Sequence, residues 1–127
     1  MGKYLIDNNV ISHYFSGLFS EMGMGFIAKE IDKTPNISII TEIEALSWIA
    51  ADKNKEKIVR EFVKDSNVLG LTSAIVSRCV MIRRNQKIKI PDAIIAATAV
   101  IHNLTLITSD RDFDNILGLK IFNPQAI

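Results

Sequence analysis

The sequence predicts an α/β domain on a mainly parallel sheet of about five strands flanked by helices. Three observations carry this. Short apolar runs rich in isoleucine and leucine recur along the chain, as buried parallel strands require. Stretches with helical spacing alternate with them. The 127 residues are 48% hydrophobic and 23% charged, which suits one domain with a buried core and excludes disorder.

Lys3 to Ile6 is the first expected strand, and Asp7-Asn8-Asn9 breaks it as a turn. Helices are expected from Ser12 to Phe19 and from Glu21 to Asp32, with Gly17, Gly23 and Gly25 blurring their ends. Thr34-Pro35-Asn36 is a turn into a second strand, Ile37 to Ile40. Thr41 then starts a helix to Asp52, and Lys55 to Lys64 is another, with Ile58, Val59, Phe62 and Val63 at helical spacing. Val68 to Leu71 is a third strand, and Thr72-Ser73 caps a helix reaching Gln86. Pro91 opens a helix that runs to His102 and stops at Asn103. Leu104 to Thr108 is the fourth strand, Asp110 to Leu117 a short helix or turn ended by Gly118, and Leu119 to Phe122 the fifth strand. No repeat or linker interrupts residues 1–127, so a single domain is expected.

Composition removes several functions. The net charge of +1 indicates neither nucleic acid nor a membrane surface by itself. The lone Cys79, on an apolar face with Val76 and Val80, is a buried thiol and permits no internal disulfide. One cysteine and two histidines argue against zinc. His13 and His102 are expected at the surface or a helix end rather than as a catalytic pair. The first residues meet Asp7 too early for a signal peptide, and no apolar run approaches membrane-spanning length. A cytoplasmic protein without a membrane is therefore expected.

Four acids stand at or just past the ends of apolar runs: Asp7, Glu44, Asp92 and Asp110. Each has a bland explanation. Asp7 can form an Asx turn, Thr41 and Glu44 a capping box, Asp92 can face a helix dipole, and Asp110 can be a cap. Their recurrence at one edge of a parallel sheet, where ligands bind, points instead to a shared site. Carboxylates gathered there repel one another unless a cation sits between them, and all-oxygen ligands suit Mg²⁺ or Mn²⁺.

The segments around these acids are Tyr4-Leu5-Ile6-Asp7-Asn8-Asn9-Val10-Ile11, Ser38 to Leu46, Ile90 to Ala99 and Leu106 to Phe113. Together, in this order, they resemble the PIN-domain ribonucleases, and most closely the VapC-type toxins of type II toxin–antitoxin (VapBC) pairs. The resemblance implies a PIN-like fold and a Mg²⁺- or Mn²⁺-dependent endoribonuclease that cleaves RNA. It implies Asp7, Glu44, Asp92 and Asp110 as metal-binding and catalytic acids, with Glu44 preferred over Glu42 by the Ser38-x-x-Thr41-x-x-Glu44 spacing. Asn9 and Thr108 match positions that hold the acids by hydrogen bonds, and Asp112 is a helper of Asp110 through a water. One departure is Asn8, where the family usually has threonine. A cognate antitoxin and a homodimer are also implied.

Between Asp65 and Asp92 there is no acid, yet Arg78, Arg83, Arg84, Lys87 and Lys89 lie there. This stretch is either an RNA track or a solvated helix face. The Lys53–Lys64 region alternates charges and is expected to be a salt-bridged surface helix. Phe15, Phe19, Met22, Met24 and Phe26 are either core or, by the resemblance, a groove for the antitoxin's helical tail. Trp48, placed on the Glu44 helix, is expected to be packed. Two other aspartate chemistries fit less well. A haloacid-dehalogenase-type phosphatase needs an acid where Asn9 stands, and a receiver domain lacks its phosphoacceptor despite Lys120. The alternative function is a non-catalytic PIN-like module that binds RNA or protein.

Overall fold

The computed structural model describes residues 3–127. Five parallel strands form one sheet in the order β3-β2-β1-β4-β5. They are β1 (Tyr4–Ile6), β2 (Asn36–Ser38), β3 (Asn67–Leu69), β4 (Thr105–Ile107) and β5 (Lys120–Phe122). Six helices connect them: α1 (Asn8–Phe15), α2 (Glu21–Asp32), α3 (Ile39–Leu46), α4 (Lys53–Asp65), α5 (Ser73–Asn85) and α6 (Ile90–Ile101). Short 3-10 turns at Arg111–Phe113 and Pro124–Ala126 complete the chain. Among these helices none is long and apolar enough to cross a membrane.

Both faces of the sheet are covered, which explains why the strands are apolar at successive positions. Leu5 and Leu106 point to the α5–α6 side, packing with Ile75, Cys79, Ala93 and Ala96. Ile6 and Ile107 point to the other side, with Ile11, Ile27 and Phe62 from α1, α2 and α4. Cys79 is buried as expected, whereas its neighbours Val76 and Val80 face outward. A side-chain ladder crosses three strands: Asn67 Nδ2 donates to Asn36 Oδ1 at 2.9 Å, and Asn36 Nδ2 donates to the Tyr4 carbonyl at 3.0 Å.

Several boundaries differ from the expected ones, and the helix starts do so because a side chain caps each helix earlier. The Asp7-Asn8-Asn9 turn is instead the start of α1: Asp7 is its N-cap and accepts from the Asn8 N–H at 2.9 Å. That helix ends at Phe15 rather than Phe19, and Gly17 with φ +68° turns the chain beyond it. The second strand stops at Ser38, whose hydroxyl accepts from the Thr41 N–H at 3.1 Å and starts α3 three residues before Thr41. Glu44 therefore lies in the second turn and is no capping-box partner. The helix also ends at Leu46, well before Asp52, because Asp52 caps α4 instead.

Candidate metal centre

The chain passes from β1 outward through β2 and β3, then returns to place β4 on the other side of β1. The sheet thus has a switch point between β1 and β4, where adjacent loops part and leave a crevice at the strands' carboxyl ends. Ile6 and Ile107 are in register, so Asp7 and Thr108 leave the sheet side by side. The Asp7 N–H donates to the Ile107 carbonyl at 3.0 Å, holding the acid's backbone to β4.

One hydroxyl links the acids of the two strands. Thr108 Oγ1 donates to Asp7 Oδ2 at 2.8 Å and accepts from the Asp110 N–H at 3.1 Å. Asp110 Oδ1 then accepts from the Asp112 N–H at 2.9 Å and caps the 3-10 turn. On the other wall, Asp92 stands in the first turn of α6, next to Pro91, where the missing proline N–H costs nothing. Carboxylate oxygens of Asp92, Asp110 and Asp112 lie within 4.8 Å of one another. Glu44 projects from α3 toward the same crevice.

Mutual repulsion and burial leave their mark on these groups. Asp7 is only 4% exposed, and burial pushes its carboxyl up to about 6 despite the opposing Thr108 and Asn8 hydrogen bonds; the charges of Glu44 and Asp110 add to the rise. Partial burial, then the Asp110 and Asp112 charges, hold Asp92 above the usual carboxylate range, with Lys89 opposing. Glu44 is raised as well, first by desolvation and then by Asp92. Each acid thus feels at least one of the others, and all of them gather at one place. A set of carboxylate oxygens without nitrogen or sulfur fits a hard divalent cation, whose ligands stand at about 2.1 Å. Small rotations or bridging waters bring oxygens of this spacing to such an ion.

Other sequence candidates distribute unevenly. Asp112, expected as a helper, joins Asp92 and Asp110 in one group whose carboxylate oxygens lie within 4.8 Å of one another. Asn9 is exposed and makes no side-chain hydrogen bond to the acids; it lines a groove beside Glu44 instead. Arg83 Nε donates to the Ile88 carbonyl at 3.2 Å and braces the loop into α6, which also carries Lys87 and Lys89. Arg78 lies beside Gly118, in the turn that enters β5 at its amino end, so it is remote from the acidic edge. On α4 the expected salt bridging reduces to Lys53–Glu56 at 2.9 Å among the described residues.

The early aromatic and methionine cluster is mostly core. Phe19 is buried, and Met24 and Phe26 pack against the α1–α2–α4 core, leaving Met22 outside at 73% exposure. Of the two expectations for this cluster, core packing holds for Phe19, Met24 and Phe26, while Phe15 lines a groove. Trp48 is not on the Glu44 helix and is not packed away: it follows α3 and is 45% exposed. With Phe15, Ile58 and Lys55 it lines a groove of about 290 Å³ whose rim includes Glu44, between α1, α3 and α4. Sequence periodicity did not find this groove, since Phe15 and Ile58 both fit apolar helix faces.

Residues 4–118 match the PIN domain family model. A comparison with curated proteins gave no match. Among solved structures, a chain of a toxin–antitoxin complex from Klebsiella pneumoniae is 30% identical, with a TM-score of 0.73 over 95% of this chain and 97% of that one. FitAcB from Neisseria gonorrhoeae is 22% identical with a TM-score of 0.76 over 98% and 99% of the two chains. A DNA-bound VapBC from Salmonella typhimurium is 23% identical with a TM-score of 0.73 over 98% and 99%. The latter two share the fold. A family match across most of the chain, on a five-stranded parallel sheet with acids at its carboxyl edge, settles the assignment: the chain belongs to the PIN-domain family.

Proposed function

We propose that the protein is a metal-dependent endoribonuclease that hydrolyses RNA phosphodiester bonds, and that it is the toxin of a type II toxin–antitoxin pair. The observation that carries the activity is the meeting of Asp92, Asp110 and Asp112 at the switch-point crevice, with Asp7 and Glu44 in electrostatic reach. A bound Mg²⁺ or Mn²⁺ supplies a water of lowered pKa and offsets charge developing on the phosphate. Asp92, Asp110 and Asp112 would hold the ion, with Glu44 within electrostatic reach. Asp7, fixed by Thr108 and by the α1 cap, would supply a further carboxylate to the site. Asp110 depends on the same threonine hydroxyl for its backbone placement.

Substrate is held by charge. Arg84 in the last turn of α5 and Lys87 and Lys89 on the turn into α6, with Lys89 in electrostatic reach of Asp92, attract a phosphate backbone toward the acids. Arg83 orders that turn, and Arg78 falls outside the track. The toxin–antitoxin complex from Klebsiella pneumoniae, 30% identical, supports a cognate antitoxin; a cytoplasmic location and a homodimer belong to the same reading through the family resemblance. Residues 1–127 act as one nuclease domain in this reading.

The test is RNA cleavage by the purified chain with Mg²⁺ or Mn²⁺, with and without chelator, beside Asp92→Asn. Metal-dependent cutting by the parent chain, lost in the variant, is the expected result. A folded, metal-loaded protein that binds mixed RNA and leaves it intact would replace this reading with a non-catalytic binding module.

A further inference from the structure

Helix α4 sorts its charges by side. Lys53, Lys57, Arg60 and Lys64 fall at positions i, i+4, i+7 and i+11, which the helical period brings into one line. All four are exposed. The line runs about 16 Å, with steps of about 4.5–6 Å between neighbours. The carboxylates of the helix are turned off this ridge. Glu61 and Asp65 line a groove on one flank together with Asp32, Ile58 and Phe62. Glu56 Oε2 is tied down by Lys53 Nζ at 2.9 Å and by the Ala50 N–H at 3.1 Å. Among the described residues, Lys57, Arg60 and Lys64 form no ion pair.

This register is unfavourable for the helix alone. Lys53 with Lys57, and Arg60 with Lys64, are like charges four residues apart, and Lys57 with Arg60 are three apart; like charges at such spacings repel. Lys53 also stands in the first turn, against the positive end of the helix dipole. A face that served only solubility would gain by alternating signs along the ridge. A polyanion laid on the ridge relieves the repulsion, and each phosphate contact releases counterions.

The placement of α4 selects the polyanion. The helix begins at the acidic edge of the sheet, where Lys55 lines the groove whose rim includes Glu44. It ends at the opposite edge, where the Asn67 N–H at the start of β3 donates to the Pro35 carbonyl just before β2, at 2.8 Å. The ridge therefore leads from the candidate metal centre down the flank of the domain. An RNA strand whose scissile phosphate lies at the acids can continue along it. The row offers charge alone, so it positions a backbone and reads no base.

We propose that the outer ridge of α4 is an RNA-backbone track outside the catalytic crevice, holding the strand that flanks the cleavage point through Lys57, Arg60 and Lys64, with Lys53 at its head. The track takes its substrate from the nuclease reading, and its test separates the two.

The intact chain, held in chelator so that no RNA is cut, is titrated across a salt series with a labelled single-stranded trinucleotide and a labelled dodecamer, followed by anisotropy. Lys57→Gln, Arg60→Gln and Lys64→Gln are combined in one variant, which keeps the fold because the three side chains are exposed and unpaired. Its dodecamer affinity should fall about ten- to a hundredfold at low salt, and its salt slope by about 2, the share of three phosphates on a single strand. Trinucleotide binding, and trinucleotide cleavage once metal is added, should not change. An unchanged dodecamer slope overturns the track. So does an equal loss for both lengths, which would put these cations at the crevice. Poly-L-glutamate that binds the parent more tightly than the dodecamer at equal salt, and is lost in the variant, overturns it in favour of an acidic protein surface. In each of these cases cleavage by the metal-loaded parent keeps the nuclease. A dodecamer held through the ridge and never cut keeps the track and refutes the nuclease.

Discussion

Replacing Asp7 by asparagine should make the metal-free protein more stable and inactive. The carboxyl titrates at about 6 in the fold, against 3.8 when unperturbed, because burial outweighs its hydrogen bonds. Between those two values the native state holds a proton that the unfolded chain has released. Stability therefore falls as pH rises through this window, and above it the ionised group costs about 3 kcal/mol. Asparagine carries no charge and escapes that cost. It has one acceptor oxygen where aspartate has two, so either the Thr108 hydroxyl or the Asn8 N–H loses its present partner. That loss costs about 1 kcal/mol, which leaves a net gain of about 2 kcal/mol at neutral pH. Urea unfolding in chelator, repeated from pH 4 to pH 8, gives the difference between parent and variant. The gain should vanish near pH 4 and level off above pH 7. A variant as stable as the parent at neutral pH, or a gain that does not depend on pH, would refute the claim that Asp7 is a buried charge under repulsion. Divalent metal should narrow the gap by stabilising the parent more than the variant, because ligand binding to the native state stabilises it by mass action.

Thr108→Val removes the donor to Asp7 and the acceptor for the Asp110 N–H, so a loss of about 1–3 kcal/mol is expected in thermal unfolding. Its Mn²⁺ affinity by calorimetry should fall as well, and unchanged affinity would show that the hydroxyl does not set the acids. Gly23→Ala would bring a Cβ to 2.9 Å from the Pro124 carbonyl and 3.0 Å from Phe19 Cβ. Overpacking of about 1–3 kcal/mol should therefore exceed the gain in helix propensity of about 1 kcal/mol; a raised melting temperature would show that the C-terminal turn yields freely. Alanine at Lys87 and Lys89 together should weaken RNA binding and make its salt dependence shallower, while Arg78→Ala should alter neither, as measured by anisotropy across a salt series.

The parts of the fold that could be read in advance are those set by local chemistry repeated along the chain. Paired apolar residues such as Leu5-Ile6 and Leu106-Ile107 face opposite sides of a doubly covered sheet, and their run lengths announce buried strands. Helix starts were harder, because several residues compete to cap them. Ser38 and Thr41 are both good caps, and the choice between them turns on where β2 leaves the sheet, a tertiary matter. The choice has consequences at the site. A helix begun at Thr41 would spend Glu44 on its own backbone; begun at Ser38, it carries Glu44 one turn further on, toward Asp92. The groove was illegible for a related reason. Phe15 and Ile58 lie on different helices at ordinary apolar spacing, and only the tertiary arrangement of α1, α3 and α4 brings them to line one groove.

Residual exposure of this kind carries more functional information than the buried pattern does. A domain optimised only for stability would fill the groove beside Trp48 and neutralise Asp7, since both leave free energy ungained. The two features adjoin at Glu44, so both belong to one edge of the domain, and in the proposed nuclease a bound divalent cation would offset the repulsion that Asp7 feels from Glu44 and Asp110.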